Sequence, residues 1–241
     1  MTLPHRLFAI RFAIAVAVVS LVVASSPAGI AAQPASVVAT PEAPAFHLVA
    51  KVRSEEWMSP LPALETGADI GDKSLLEALR EGGFVIYIRH ASTDFSTVDE
   101  EPIDLQDCAT QRTLSEVGRV EARRIGESIV DHDIPVGDVY SSEMCRAWET
   151  AELAFGEVEL TSDLTAFVTA SSEAEEDART DALRTLLGTP PESGTNTFVV
   201  GHLVNITIAA NVTMEEGEAT IFLPTESRSG NGCIDAVDVV D

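Results

Sequence analysis

Residues Phe84 to His90 read FVIYIRH. Positions 84 to 88 are apolar throughout and rich in β-branched and aromatic side chains, so both faces of the strand they predict must be covered. That is the pattern of a strand inside a helix-flanked, mainly parallel sheet. Its end is the opposite in character: Arg89 and His90 follow with no polar transition. In such sheets, ligand chemistry gathers where the strands end at their carboxyl side.

Working outward, the preceding DKSLLEALREGG predicts a short helix capped by Asp72, with Leu75, Leu76 and Leu79 on one face and a glycine stop. After a long acidic loop, Thr113 to Glu116 predict a capping box opening a helix on which Leu114, Val117, Ala122, Ile125 and Ile129 recur. VGDVYSS predicts the next strand, EMCRAWETAELAF a helix ending at Gly156, and VEL a short strand. A polar helix is predicted from about Glu173 to Leu187, then a strand in NTFVVGH and a helix in LVNITIAANV. EATIFLP and CIDAVDVV read as further strands, expected as an antiparallel edge. The alternation predicts an α/β fold: a three-layer sandwich with a mainly parallel sheet and helices on both faces.

The 241 residues allow one or two domains and one sizeable core, and 45% hydrophobic content with 22% charged residues excludes a disordered chain. Residues 1–31 have the layout of a signal peptide: Arg6 and Arg11, an apolar run from Phe12 to Ala24, then small residues. That run is short for a membrane span, which needs roughly 20 residues. An exported protein (periplasmic, cell-envelope or extracellular) is therefore expected, with no membrane span after signal removal; an uncleaved amino-terminal anchor is the alternative. Residues 32–71 are rich in Ala and Pro and predict a linker, leaving 72–241 as the folded domain.

Fifteen basic against 39 acidic residues give a net charge of −24, which argues against nucleic acid as a partner. A small phosphorylated substrate remains compatible if a few cations are focused locally. Three such strand ends supply them: Arg89 and His90, Ser141 and Ser142 leading to Arg146, and Gly201 and His202. Arg146 lies 57 residues after Arg89, and His202 lies 56 after Arg146. This is the spacing expected if each caps a further strand-helix pass. Arginine binds phosphate oxygens through a planar fork and stays charged. A neutral imidazole can attack phosphorus, and a second, protonated histidine can hold a phosphate oxygen.

In order and spacing, the RH of FVIYIRHAST, the serines and arginine of YSSEMCRAWETA, the intervening CATQRTLSEVGRVEARRIG and the FVVGH strand end resemble the histidine phosphatase superfamily. That group is phosphoglycerate mutase-like, and the resemblance spans roughly 72–241. It implies that His90 is a nucleophile forming a phosphohistidine, with Arg89, Arg146 and His202 as the phosphate pocket, and that neither a metal nor another cofactor is required. A looser similarity to exported bacterial members points to an envelope-side phosphomonoester. The alternatives are a protein phosphohistidine phosphatase and a phosphate-binding module that has kept the pocket without turnover; a mutase is least favoured.

Two departures stand out. Ala91 occupies a position where the family usually has Gly, and Leu164-Thr165-Ala166 lacks the carboxylate of a Leu-x-Glu proton donor. Asp94 is taken as the tentative general acid, ahead of Asp99 and Glu143. The run from Asp94 to Asp107 holds six acids and, at a pocket mouth, would disfavour polyanionic substrates. Arg112 is expected to pair with that loop, and Arg119, Arg123 and Arg124 to form a solvated face. A disulfide between Cys108 and Cys145 is an even choice, since pairing cannot be read from sequence.

Overall fold

The structure is a computed structural model that describes residues 45–52 and 73–225. Strand β2 (Val85–Arg89) lies inside a six-stranded sheet, parallel to β5 (Asn196–Gly201) on one side and antiparallel to β6 (Ala219–Thr225) on the other. β3 (Val136–Ser142) continues in parallel beside β5, and the short β4 (Glu159–Thr161) closes that side. On the far side β1 (Ala45–Val52) pairs antiparallel with β6, giving the order β1-β6-β2-β5-β3-β4.

Two-faced burial is the reason FVIYI is apolar at every position. Ile86 and Ile88 enter one core with Phe198 and Val200 of β5, against α1 (Leu75–Glu81), α2 (Glu116–Asp131) and α3 (Cys145–Phe155). Val85 and Tyr87 enter the other, with Val199, against α4 (Glu173–Leu187) and α5 (Leu203–Ala210). Three helices on one face and two on the other make the three-layer α/β sandwich. Phe198 is fully buried, and its truncation to Ala would cost about 3–5 kcal/mol. On the first face α2 and α3 approach closely because Gly126 has no side chain: a Cβ there would stand 2.1 Å from the Ala154 carbonyl oxygen.

Local readings are corrected in five places. Helix α1 is capped by Ser74, whose hydroxyl accepts from the Glu77 N–H while the Glu77 carboxylate accepts from the Ser74 N–H; Asp72 lies outside the described residues. Helix α2 is capped by Ser115, two residues after Thr113, because the Ser115 hydroxyl is the one that reaches the Gly118 N–H. Leu114 is still buried, in an isolated bridge with Thr93, but Val117 faces solvent. Within the expected linker 32–71, residues 45–52 form strand β1; an Ala/Pro-rich composition conceals a segment whose order comes from pairing with β6. That pairing also places β6 inside the sheet: EATIFLP is antiparallel as expected, yet it is no edge.

CIDAVDVV and the signal-type segment 1–31 lie outside the described residues. Among the described residues, no helix is long and apolar enough to cross a membrane.

Candidate active site

β2, β5 and β3 are neighbours and run in one direction, so His90, His202 and Arg146 emerge at the same edge of the sheet. The rings of His90 and His202 lie 5.4 Å apart, centre to centre, with His90 only 2% and His202 4% exposed. His90 Nδ1 donates to the Ala91 carbonyl oxygen at 3.0 Å. A carbonyl can only accept, so the proton is on Nδ1 and the Nε2 lone pair is free to attack. Burial drives the His90 pKa down to about 3; the Ala91 carbonyl opposes this, and the charges of Arg146, Arg89 and Arg112 reinforce it.

His202 opens α5 with extended backbone, and its Nε2 meets the Ser142 hydroxyl at 2.8 Å. Its pKa lies well below the usual value, first through burial and then through the charges around His90, Arg146, Arg89 and Arg112. The expectation of a protonated second histidine is therefore corrected for the free site: burial and the guanidinium charges of Arg146, Arg89 and Arg112 disfavour the protonated imidazole. A bound phosphate dianion would act in the other direction on both rings.

Arg146 is buried on the first turn of α3. Its Nη1 donates to Asp99 Oδ1 at 3.0 Å and to the Arg112 carbonyl at 3.3 Å, while Nη2 faces the Met144 sulfur at 3.5 Å. Arg89 Nη1 donates to the Met214 carbonyl at 2.7 Å. Each guanidinium keeps one unused donor: Arg89 Nε and Arg146 Nε are buried and without a protein partner. They are two of only four such side-chain atoms among the described residues. Buried donors are normally satisfied, and an oxyanion between these two arginines would satisfy both.

Ala91 needs no glycine conformation, since its φ is not positive; its N–H donates to the Thr150 hydroxyl at 3.0 Å, and that hydroxyl donates to the Arg146 carbonyl at 2.7 Å. One threonine thus ties the segment after His90 to the turn that carries Arg146. The first amides of α3 are already engaged, for Met144 N–H donates to Ser142 Oγ and Cys145 N–H to Gln111 Oε1.

Among the described residues, Asp94, taken above as the general acid, makes no hydrogen bond or ion pair with these side chains. Its carboxylate accepts from the Ser96 N–H in a local turn, and that bonding holds its pKa low. A general acid needs the reverse, a carboxyl kept protonated by burial or by a like charge. Asp99 is likewise engaged, pairing with Arg146 and accepting from the Arg112 N–H at 2.8 Å. Glu143, next to Ser142, is half-buried and accepts from the Thr165 hydroxyl at 3.3 Å.

Arg112 does not pair with the acidic loop through its side chain: the guanidinium lies over the Phe95 ring at 4.8 Å, and among the described residues no carboxylate is within ion-pair distance. Arg119 also departs from the expected solvated face, bridging α2 to α3 through Glu149 at 2.7 Å. Cys108 and Cys145 form a disulfide with a Cα–Cα distance of 5.7 Å, which fastens the acidic loop beside Arg146.

One group has no counterpart in the sequence reading. Glu216, in the turn before β6, accepts from the Thr93 N–H at 3.0 Å and the Thr93 hydroxyl at 2.8 Å. Its Oε1 also lies 3.6 Å from Arg89 Nη2 and 4.0 Å from His90 Nδ1. Nothing in TMEEGEA marks it, because its partners are more than 120 residues away in the chain. Among the described residues, no cluster of three or more His, Cys, Asp or Glu side chains is arranged to hold a metal ion.

Residues 85–166 match the family model of the histidine phosphatase superfamily, branch 1. No curated protein matches the chain in sequence. Similar solved structures include the mycobacterial glucosyl-3-phosphoglycerate phosphatase, at 16% identity over 58% of this chain and 89% of that one, with a TM-score of 0.41. A phosphoserine phosphatase of Entamoeba histolytica in complex with phosphoserine matches at 15% identity over 57% and 89%, TM-score 0.41. A phosphoglycerate mutase of Thermus thermophilus matches at 16% over 57% and 91%, TM-score 0.40. Residues 85–166, which contain the strand-end pair Arg89 and His90, are thus similar to the histidine phosphatase superfamily.

Proposed function

We propose that this enzyme hydrolyses a phosphomonoester outside the cytoplasm through a phosphohistidine on His90. The observation that carries this reading is the pair of unpartnered guanidinium donors, Arg89 Nε and Arg146 Nε, buried beside an imidazole whose Nε2 lone pair is free. The ester's phosphate is held by Arg89, Arg146 and His202. His90 Nε2 forms a bond to phosphorus as the bond to the leaving oxygen breaks, and a carboxyl group protonates that oxygen. Water then attacks phosphorus, the N–P electron pair returns to Nε2, and the water's proton restores the carboxyl group.

We assign that proton transfer to Glu143 in place of Asp94. It stands at the end of β3 beside Ser142, whose hydroxyl touches His202, and it is not committed to a cation among the described residues.

We assign the alcohol portion of the substrate to a groove formed by two loops. The loop after β2 and the segment after β4 leave the sheet on opposite flanks of β5 and β3, yet they meet at a groove of about 490 Å³ lined by Glu101, Pro102, Ile103, Val168 and Thr169. The groove's lining holds none of the strand-end residues, and its use by the alcohol portion is part of this proposal. An apolar rim with a carboxylate favours a single phosphate on an uncharged or cationic group over a polyanion. Another cavity of about 390 Å³, under α4 against β4, likewise holds none of the catalytic residues. The signal-type layout of residues 1–31 supports the envelope side as the place of action.

The test is release of phosphate from p-nitrophenyl phosphate by wild type and His90→Ala, with an alkaline denaturing quench because N–P bonds are acid-labile. Turnover and a phosphorylated His90 peptide are expected in the wild type, and neither in the variant. Phosphate binding with no turnover in the wild type would leave only a binding module.

A further inference from the structure

Glu216 is a nearly buried carboxylate, 12% exposed, for which the reaction just described has no use. Its surroundings are specific. Oε2 is held by the Thr93 N–H and Oε1 by the Thr93 hydroxyl, so both oxygens are fixed from the loop that follows the nucleophile. Held there, Oε1 stands 3.6 Å from Arg89 Nη2 and 4.0 Å from His90 Nδ1, the protonated side of the ring. The backbone beside it grips the same segment: the Met214 carbonyl accepts from Arg89 Nη1 at 2.7 Å, and the Gly217 N–H donates to the His90 carbonyl at 3.0 Å.

The chemistry of His90 gives this arrangement a consequence. When Nε2 of an imidazole already carrying a proton on Nδ1 bonds to phosphorus, the ring becomes cationic. Nδ1 keeps its proton throughout and the positive charge disappears only when the N–P bond breaks. Arg89, Arg146 and Arg112 all oppose a positive charge on this ring. Glu216 is the carboxylate within 4.0 Å of it.

We propose that Glu216 is a positioning residue that fixes the Arg89 guanidinium and counters the positive charge of the phosphorylated His90 ring, favouring formation of the intermediate. The inference rests on the reading that His90 is phosphorylated. Because Glu216 lies on the Nδ1 side, opposite the attacking Nε2, it acts through His90 and Arg89 and does not itself exchange a proton with the substrate.

The experiment compares the full chain with Glu216→Gln, which keeps an acceptor for the Thr93 hydroxyl but loses the charge, and with Glu216→Asp, which keeps the charge on a shorter arm. Phosphoenzyme formed in a rapid alkaline quench, kcat, KM and thermal midpoint are measured for p-nitrophenyl phosphate. Glu216→Gln is expected to lower the rate of phosphoenzyme formation about tenfold or more, equivalent to a modest rise in the barrier, with KM changed much less and the midpoint nearly kept. Glu216→Asp retains more of that rate than Glu216→Gln. Equal losses in the two variants, or undiminished phosphoenzyme in Glu216→Gln, would overturn the proposal. If the wild type itself forms no phosphoenzyme, the phosphohistidine reading fails first, and the two failures are told apart by that control.

Discussion

Asp99 divides its carboxylate between the Arg146 guanidinium and the Arg112 N–H, at 3.0 and 2.8 Å, and so neutralises part of the charge that should hold phosphate. Asp99→Asn keeps the shape and removes the competition. Inorganic phosphate should therefore inhibit the variant several-fold more tightly, while the half-buried pair's loss costs about 2 kcal/mol of stability; steady-state inhibition and urea unfolding measure the two effects. Glu143 predicts a different signature. If it supplies the proton, Glu143→Gln should slow hydrolysis of alkyl phosphates about a hundredfold or more, yet hardly touch p-nitrophenyl phosphate, whose leaving group needs no proton. Parallel losses on both esters would remove Glu143 from that role.

The acidic loop between β2 and α2 is the element on which the pocket depends. It is fastened to α3 by three bonds of different kinds: the Asp99–Arg146 pair, Gln111 Oε1 accepting from the Cys145 N–H, and the Cys108–Cys145 disulfide. The disulfide closes a separation of 37 residues, for which loop entropy gives about 3–4 kcal/mol. The double variant Cys108→Ser, Cys145→Ser should thus melt earlier and show a higher KM, as the loop that holds Arg146 loosens. An unchanged KM with a lower melting midpoint would confine the disulfide to stability.

Across the molecule, the two buried neutral histidines set a pH dependence of folding. The folded pKa of His90, about 3, lies below its ordinary 6.5, so over that interval the unfolded chain binds more protons than the native one. Stability must then fall as pH drops below about 6.5. Glu77 and Glu175, held low chiefly by hydrogen bonds from Ser74 and Ser171, add their loss only below the usual carboxylate range near 4.5. Melting followed between pH 7 and 4.5 should fall steadily in the wild type and less steeply in His90→Ala. Identical slopes would mean that the imidazole is not buried neutral.

The core strands, the helices between them and the reactive strand ends were legible in the chain because each is a local pattern. FVIYI must be covered on both faces, polar residues at 89–90, 141–142 and 201–202 interrupt apolar strands, and α4 has the predicted limits Glu173–Leu187. Proximity along the chain pointed to Asp94, whose carboxylate instead accepts from the Ser96 N–H in its own turn. Glu216 was invisible for the converse reason: it reaches His90 because β6 is inserted beside β2, a pairing that no local spacing encodes. The same insertion made a strand of 45–52 inside an Ala/Pro-rich stretch. Periodicity and strand-end polarity are properties of the chain itself; which carboxylate faces the imidazole, which cysteines join and which segment covers an edge depend on contacts between distant segments, and only folding brings those into range.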